Sequence, residues 1–423
     1  MDNNYDVGNK SAVFDKLINN NEKDYQLIKD IKVYPYISDK NKVLDVSNNL
    51  NYLLKQLDID IKYNLMSRKR EITIPNTNFL SENIENITLD YITDIALLNH
   101  MPVKFLDNHL DVIATQNSYH PIVELLKNNP WDKKPRLDNF LKTIKTTNDP
   151  LSHKLIKTWM VAAIAAAHSK DGFTNQGVLT IQGAQNIGKT KWIKSLNPFT
   201  DNIDVVKEGA ILDPNNKDNI LMLASYWIVE LGEVDATFRK ADIARLKSFI
   251  TMQSDNVRSP YARKSTILPR RTVYAATVNE ENFLADETGN RRWWTISAIS
   301  IDCEHDFPMT KVWAEVYWEW MEGHLTYLDN EYQDKVNCSN IKHEKVDPLK
   351  ELLYLTYNFE SDPKDWVSST QILQCLGYDL PQRSESTRIG IILSKIKSIK
   401  SKILDGIKLY HMPYKRSSYY SQI

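Results

Sequence analysis

One short segment constrains the fold of this chain more than any other: a glycine-containing loop lies between an apolar run and a helical run. The apolar run, residues 177–182, reads Gly-Val-Leu-Thr-Ile-Gln and is typical of a buried β-strand. The loop consists of Gly183, Ala184, Gln185, Asn186, Ile187, Gly188, Lys189 and Thr190. This is the G-x-x-x-x-G-K-[ST] motif in the strand-loop-helix context that the motif requires.

Glycine is scarce elsewhere in the chain. The 423 residues include 12 glycines, and none occurs between Gly8 and Gly172. Because glycine is used where the backbone bends sharply or approaches a ligand closely, the cluster that begins at Gly172 predicts a binding site. Loop amides and the positive end of the following helix bind phosphate oxygens, and Lys189 reaches the β and γ phosphates. With Thr190 holding Mg²⁺, the predicted cofactors are ATP and Mg²⁺.

A second strand supplies the acidic residues that such a loop needs. Residues 226–229 are apolar and lead into Glu230-Leu231-Gly232-Glu233. A phosphate loop works with an acidic strand that holds the metal and orients a nucleophilic water. We therefore place Glu230 at the strand end beside Mg²⁺ and consider Glu233 as the water-activating base, although the two roles are interchangeable at this stage.

Two further polar features follow in the same α/β region. The apolar strand 272–277 ends close to Asn279, where a polar side chain can sense the γ phosphate and position the attacking water. Arg291 and Arg292 follow a Gly-Asn turn and suit an arginine finger, the cation that neutralises transition-state charge on a transferring phosphoryl group. A finger acting in trans would require a ring, or at least a dimer.

Residues 256–271 contain five basic residues and no acidic one. A loop or hairpin here could follow a DNA backbone by charge and aromatic contact. The candidate contacts are Arg258, Tyr261, Arg263 and Lys264. A solvated loop is the alternative for a basic run of this kind.

The C-terminal residues form a second basic region. Asp347-Pro348 suits the start of a helix, further helical stretches follow at 369–376 and 386–397, and Asp405-Gly406 lies between apolar runs as in a hairpin. This order predicts a winged helix. Between residues 388 and 416 the basic residues exceed the acidic ones by seven, which suggests DNA contact. The candidate contacts are Arg388, Lys395, Lys402 and Lys408, and a purely structural basic face is the alternative.

Periodicity divides the chain into four parts. We predict a mostly helical N-terminal accessory module (1–118), a helical collar (119–170), an α/β phosphate-loop domain with a parallel sheet (171–328) and a basic C-terminal module (345–423). The three cysteines are isolated, the N-terminus is polar, and the longest apolar run is about nine residues, roughly half a membrane span. These features predict a cytoplasmic protein without a membrane partner.

With these residues identified, the chain resembles the virulence-associated protein E family of mobile-element ATPases, which is related to superfamily 3 helicases of the AAA+ class. The resemblance covers roughly residues 119–300. It rests on the following ordered motifs: Tyr119-His120-Pro121, Pro130-Trp131-Asp132, Arg136-Leu137, the glycine loop, Val229-Glu230-Leu231-Gly232-Glu233, Leu246-Lys247-Ser248-Phe249-Ile250, Arg258-Ser259-Pro260-Tyr261, Thr277-Val278-Asn279 and Thr288-Gly289-Asn290-Arg291-Arg292-Trp293.

The resemblance implies a hexameric, ATP-driven DNA helicase for replication of a phage, plasmid or pathogenicity island. It also implies that the basic segment is a pore hairpin on single-stranded or forked DNA, and that a primase or host replication protein is a partner. The spacing of Glu230 and Glu233 departs from the adjacent acidic pair common in helicases. The alternative function is an ATP-controlled origin-binding or helicase-loading initiator without unwinding activity. A small-molecule kinase fits poorly, because it explains neither basic region.

Overall fold

The computed structural model describes residues 31, 33–75, 77, 83–200, 203–213, 216–232, 248–257, 266–284, 290–344 and 347–416. These residues form two compact units. The first unit takes the described residues up to 280 together with 290–338, and the second takes 281–284 and those from 339 onward. Each unit has its own buried core.

The first unit begins with a small module of helices around a three-stranded sheet. Its elements are α1 (Ser47–Gln56), β1 (Asp60–Asn64), β2 (Lys69–Thr73), α2 (Ile84–Leu98), α3 (Leu106–Gln116) and β3 (Ser118–Tyr119). The sheet order is β2–β1–β3, with β1 and β2 forming an antiparallel hairpin. Apolar side chains that recur at helical spacing, including Leu50, Leu53 and Leu54, form its core.

A set of helices follows and leads into the central sheet. The elements are α4 (Pro121–Asn128), α5 (Leu137–Leu141), β4 (Ile144–Thr146) and α6 (Asp149–His168). The amide of Leu151 donates to Asn148 Oδ1 at the start of α6, which satisfies an amide that has no partner inside the helix. Most of the residues of α6 are buried, so this helix lies inside the unit rather than on its surface.

The remaining elements of the first unit alternate between strands and helices. They are β5 (Val178–Gln182), α7 (Lys189–Ser195), β6 (Val206–Ala210), α8 (Lys217–Leu223), β7 (Ile228–Leu231), β8 (Ser254–Val257), β9 (Thr266–Pro269), β10 (Val273–Val278), β11 (Trp293–Ile301), α9 (Met309–Met321) and α10 (Asn330–Asn340). Short 3₁₀ helices occupy Asn290–Arg292 and Ile341–His343. The boundary between the two units falls after residue 338, so the last two residues of α10 and the second 3₁₀ helix belong to the second unit.

The central sheet has the strand order β4–β11–β5–β10–β7–β6. Only β4 runs antiparallel to its neighbour; the other pairs are parallel. The residues of β5, β7 and β10 are nearly all buried, which explains why these strands read as continuous apolar runs. Val278 is paired with Gln182 and Ala276 with Leu231, so β5, β10 and β7 end at the same edge.

Buried tryptophans attach α6 to this sheet. Trp159 on α6 donates its Nε1–H to the carbonyl of Tyr274 on β10 at 2.9 Å, and Trp227, just before β7, donates to the carbonyl of Ala163 on α6 at 2.8 Å. The ring of Trp313 on α9 packs 4.5 Å from that of Trp227. Since the indole N–H groups of Trp159 and Trp227 both have partners, these two large rings are buried without an unpaired donor.

The second unit combines three helices with a small antiparallel sheet. Its elements are α11 (Pro348–Thr356), β12 (Pro363–Ser368), α12 (Ser369–Cys375), α13 (Arg383–Lys395), β13 (Ser401–Leu404) and β14 (Ile407–Pro413). The sheet order is β12–β14–β13. The sequence-predicted hairpin joins β13 to β14, and Asp405 (φ 48°) and Gly406 (φ 79°) have the positive φ angles that a two-residue type I′ turn needs. The strand β12 was not predicted.

These observations confirm a mixed α/β fold with a parallel sheet. Among the described residues, no helix is both long enough and apolar enough to cross a lipid bilayer. The N-terminal module contains the predicted helices together with the three-stranded sheet described above.

Gly177 provides a test of how tightly the central sheet is packed. A Cβ at this position would lie 2.1 Å from Cε2 of Trp294, whose ring is buried. We expect Gly177→Ala to cost about 1–3 kcal/mol through overpacking and to lower the thermal midpoint by several degrees. In a Trp294→Leu background the same alanine should cost much less. Equal losses in both backgrounds, measured by thermal unfolding, would contradict this packing argument.

Candidate functional site

The glycine loop connects β5 to α7, and at two of its positions the neighbouring atoms leave no room for a side chain. A Cβ on Gly183 would lie 2.8 Å from the carbonyl oxygen of Ala298, and a Cβ on Gly188 would lie 2.8 Å from Sγ of Cys303. Gly188 (φ 96°) and Asn186 (φ 64°) also adopt the left-handed conformation that favours glycine and asparagine. The positions of the two motif glycines therefore have a direct steric explanation.

Lys189 is turned into the loop rather than toward solvent. Its side chain is only 7% exposed, and its ammonium donates to the carbonyls of Gly183 and Ala184 at 2.8 Å each. A third hydrogen bond, of 2.9 Å, reaches Oδ1 of Asn279. The fold thus holds a positive charge at the loop, where an incoming phosphate oxygen would compete with the carbonyls for the ammonium.

Glu230 lies beside this loop and is 1% exposed. Its Oε1 accepts hydrogen bonds from the hydroxyls of Thr190, at 3.2 Å, and Thr277, while its Oε2 accepts from the amide of Gly209. Because both carboxylate oxygens have donors, the buried charge is stabilised. Mg²⁺ binds oxygens at 2.0–2.1 Å in octahedral geometry, which puts adjacent ligands about 3 Å apart. The oxygens of Thr190 and Glu230 have a suitable separation for a shared cation.

These side chains meet because their strands end at one edge of the sheet. A cleft of about 460 Å³ opens there, within the size range of about 300–1,000 Å³ typical of ligand pockets. It is lined by Gln185, Asn186, Gly188, Lys189, Thr190, Lys191, Gly209, Glu230, Gly232, Thr277 and Asn279. After β5 the chain forms β6, β7 and β10, which all lie on one side of β5 in the strand order, whereas β11 lies on the other side of β5. Ligands of open α/β sheets bind at the point where the strand order reverses in this way.

Four lining residues were not among the sequence-predicted site residues. Thr277 and Gly209 bind Glu230, while Lys191 and Gly232 complete the wall. A Cβ on Gly232 would approach Cα of Gly209 to 3.2 Å, so the two glycines allow β6 and the end of β7 to come close. The sequence signals that could have identified these lining residues are a threonine near the end of an apolar strand and two glycines in a glycine-poor chain.

Arg291 and Arg292 are not brought to the cleft of their own chain. They precede β11, which runs parallel to β5 with Trp293 paired to Val178. The arginines therefore lie at the amino edge of the sheet, and the glycine loop lies at the carboxyl edge, about 16 Å away for five strand residues. Burial, together with the neighbouring Arg291, lowers the pKa of the Arg292 guanidinium.

Several sequence-predicted residues lie outside the described part of the chain: Glu233, Arg258, Tyr261, Arg263 and Lys264. The strands on either side of the basic segment are described and form an antiparallel pair, in which Ser254 faces Pro269 and Val257 faces Thr266. The segment 258–265 therefore connects two paired strands, as a hairpin requires.

At the base of this hairpin, two of the five basic residues, Arg270 and Arg271, have structural contacts. Arg270 is 1% exposed, and its Nε donates to Oδ2 of Asp255 at 2.8 Å, with a second contact between Nη2 and Oδ1. Its guanidinium also lies 3.8 Å from the ring centroid of Phe249. Arg271 donates to the carbonyl of Ser169 at 2.9 Å, and burial lowers the pKa of this arginine. Neither is positioned as a free surface cation.

The C-terminal basic residues do not share one surface. Arg388 forms two hydrogen bonds with the carboxylate of Asp347, at 2.7 and 2.6 Å. Lys402 and Lys408 belong to opposite faces of the sheet, because Lys402 is paired with Leu409, the residue after Lys408. Lys395 ends α13, and its side chain is outside the described part of the structure.

Comparison with known proteins identifies the family. Residues 126–345 match the virulence-associated protein E-like domain, which is just over half of the chain. The chain therefore belongs to the virulence-associated protein E-like family. No curated protein sequence matches it significantly.

The chain is also similar to solved structures of the C-terminal region of NrS-1. Two apo structures, one of them of the A form, have TM-scores of 0.44 with identities of 16% and 14%. Another structure of the A form has a TM-score of 0.47 and 14% identity. Each comparison covers 86% of this chain and 98% of the other.

The buried ion pair at the hairpin base can be tested by removing its acid. Asp255→Ala leaves the Arg270 guanidinium without its carboxylate, so we expect a loss of about 3–5 kcal/mol and increased hydrogen exchange in β8 and β9. Asp132→Ala is the control, because Asp132 forms a similar pair with Arg136 at 2.7 Å in an exposed position. The two variants are compared by thermal unfolding. Similar midpoints would show that the buried pair has no special structural importance.

Proposed function

We propose that this chain is an ATP-dependent DNA helicase or translocase that acts in the replication of a mobile genetic element, such as a phage, plasmid or pathogenicity island. The observation that carries the proposal is the convergence of Lys189, Thr190, Glu230 and Asn279 on one cleft at the carboxyl edge of a parallel sheet. Membership in the virulence-associated protein E-like family supports the same conclusion. In this proposal the first unit contains an AAA+-type phosphate-loop core.

ATP and Mg²⁺ fit the residues of the cleft. Lys189 is already held where an anionic phosphate would contact it, and the loop approaches closely because Gly183 and Gly188 carry no side chain. Within the described residues, no group of three or more His, Cys, Asp or Glu side chains could hold a metal on its own. Mg²⁺ needs only one or two protein ligands when phosphates supply others, and Thr190 with Glu230 meet that requirement. When bound, Mg²⁺ would neutralise charge on the phosphates.

The hydrogen bonds favour one division of roles between the two glutamates. Both oxygens of Glu230 are occupied by donors from Thr190, Thr277 and Gly209. A carboxylate held in this way suits metal binding better than movement toward a water. We therefore assign metal binding to Glu230 and proton acceptance to Glu233, and Asn279 would position the attacking water from the neighbouring strand.

The position of the arginines supports an oligomer. Since Arg291 and Arg292 lie at the opposite edge of the sheet from the glycine loop, they would reach a cleft only in another copy of the chain. We propose a homohexameric ring in which the finger of one subunit completes the cleft of the next. The cation would stabilise charge on the transferring phosphoryl group.

The proposed substrate is single-stranded or forked DNA. The segment with Arg258, Tyr261, Arg263 and Lys264 connects β8 to β9, and the Arg270–Asp255 pair fixes the base of this hairpin. Such a segment on a rigid base suits a pore hairpin that contacts the DNA backbone. In the second unit, three helices with the β13–β14 hairpin support a winged-helix-like module. We further propose a cytoplasmic location and a primase or host replication protein as partner.

Removal of the loop ammonium tests the ATPase proposal. We expect Lys189→Ala to abolish ATP hydrolysis and unwinding of a forked duplex, because the loop would lose the ammonium proposed to contact the β and γ phosphates. Lys194→Ala is the matched control: Lys194 lies on the same helix but pairs with Glu208 outside the cleft, so activity should remain. Rates are measured with and without single-stranded DNA. Unwinding that survives in Lys189→Ala would contradict the proposal, whereas hydrolysis without any unwinding by the unaltered chain would favour a loader or origin-binding function.

The finger in trans is tested by mixing two inactive variants. One carries Arg291→Ala and Arg292→Ala, and the other carries Lys189→Ala. Hybrid interfaces that combine an intact cleft with an intact arginine pair should recover part of the ATP hydrolysis. Each variant alone is the control, and the mass of the oligomer is measured in parallel. No recovery at any mixing ratio, with oligomers intact, would show that the arginines do not act between subunits.

A further inference from the structure

The three-stranded sheet of the second unit has an outer face with an unusual set of side chains. Trp366 on β12 is directly opposite His411 on β14, and Lys402 on β13 is opposite Leu409. Directly opposed residues lie on the same face, and Leu409 and His411 are two residues apart, so all four side chains belong to one face. The helix-packed side is the other one, where Tyr410 is buried.

The aromatic side chains on this face form a continuous stack with an ammonium. The rings of Trp366 and His411 are nearly parallel, at 4°, with centroids 4.6 Å apart. The ammonium of Lys402 crosses the central strand and lies 4.2 Å from the centroid of Trp366. Two aromatic rings and a positive charge are therefore adjacent on the same face of the sheet.

The rest of the face consists of apolar residues and Ser368, which is opposite Leu409. Toward the hairpin tip, Leu404 and Ile407 are 55% and 56% exposed. The only acidic residue within the three strands is Asp365, which alternates with Trp366 and so belongs to the other side. Within the three strands, the face therefore combines aromatic, aliphatic, hydroxyl and basic groups without an acid, and Asp405 lies in the turn between Leu404 and Ile407.

We propose that this outer face binds single-stranded nucleic acid by stacking bases on Trp366 and His411. A cation–π contact in an exposed position is worth about 0.5–1 kcal/mol, whereas a base stacked on an aromatic side chain is worth about 1–3 kcal/mol. A base therefore displaces the ammonium of Lys402 from the indole. The released ammonium is then within reach of a phosphate of the same strand.

The chemistry selects single strands over duplexes. Base faces are already stacked on one another inside a duplex, so they are not available to an indole, whereas unpaired bases can be splayed onto aromatic side chains. The proposed contact uses the sheet rather than α13, so it differs from the insertion of a helix into a groove of duplex DNA. This inference rests on the proposed function for its choice of a nucleic acid, and it adds a binding surface separate from the β8–β9 hairpin.

The test uses the full chain and two readouts. Oligonucleotides substituted with a photoreactive pyrimidine are cross-linked by light, and the modified peptides are mapped by mass spectrometry. Affinity is measured by fluorescence anisotropy with oligo-dT, oligo-U and a blunt duplex. We expect cross-links at Trp366 or His411, weak duplex binding, and an affinity that falls about 5- to 150-fold in Trp366→Leu, as the loss of a stacked base predicts. Comparing the DNA and RNA oligonucleotides identifies which single strand is preferred.

Matched variants separate stacking from other effects. Trp366→Leu keeps an apolar side chain, and Trp366→Phe keeps a ring and should retain most of the affinity. Lys402→Ala should weaken binding and reduce its salt dependence, whereas Lys350→Ala, an exposed lysine on α11, should not. Equal effects of the two lysine variants would overturn the proposal, and so would unchanged affinity in Trp366→Leu or the absence of cross-links on β12 and β14.

The same samples distinguish this inference from the proposed function. ATP hydrolysis is measured for Trp366→Leu, which should retain the basal rate because Trp366 is not part of the ATP cleft. Cross-links at Trp366 in a chain that hydrolyses no ATP would support the binding surface and contradict the ATPase. Normal hydrolysis with no cross-link on β12 or β14 would support the ATPase and contradict the binding surface.

Discussion

The arrangement of the cleft depends on the parallel alignment of β5, β10 and β7. Parallel strands point their carboxyl ends in one direction, and the pairing of Val278 with Gln182 and of Ala276 with Leu231 makes these ends coincide. Three short chain segments that are far apart in sequence thus place Lys189, Glu230 and Asn279 in one cleft. A shift of one residue in the β10–β7 pairing would turn Glu230 to the other face of the sheet relative to its partners.

The sheet keeps this alignment in apolar surroundings where several buried polar groups have protein partners, although the Tyr274 hydroxyl on β10 and the Trp294 indole N–H on β11 have none among the described residues. Parallel strands are buried on both faces, so a polar group near them is stabilised by a partner inside the protein. Trp159 and Trp227 meet this need by donating to backbone carbonyls while filling the space between α6 and the strands. Glu230 does so through hydroxyls and an amide. The hydrogen bonds of Glu230 lie at the open edge of the sheet, where a ligand can enter.

Sequence alone predicted the parts of this structure that depend on local pattern. The glycine loop, the apolar strands and the Asp405-Gly406 hairpin follow from spacing and turn chemistry, and the structure has each of them. The role of Thr277 as a partner of Glu230 was missed, because it depends on the register between two strands. The burial of Arg270 was missed for the same reason: a basic run resembles a solvated loop until Asp255 and Phe249 are placed beside it. The strand β12, with its proline and charged residues, has no apolar alternation to reveal it.

The position of β10 has a mechanical consequence. Three residues, 270–272, separate it from the last residue of β9, and its last residue directly precedes Asn279. The strand is hydrogen-bonded on both sides and spans about 20 Å, so it behaves as a rigid rod that cannot lengthen to absorb a displacement. Asn279 contacts the ammonium of Lys189 at one end of this rod, and the pinned base of the basic hairpin lies at the other. This strand therefore joins the cleft to the base of the basic hairpin, with only residues 270–272 between β9 and β10, and we expect a displacement of Asn279 to move the strand as one unit.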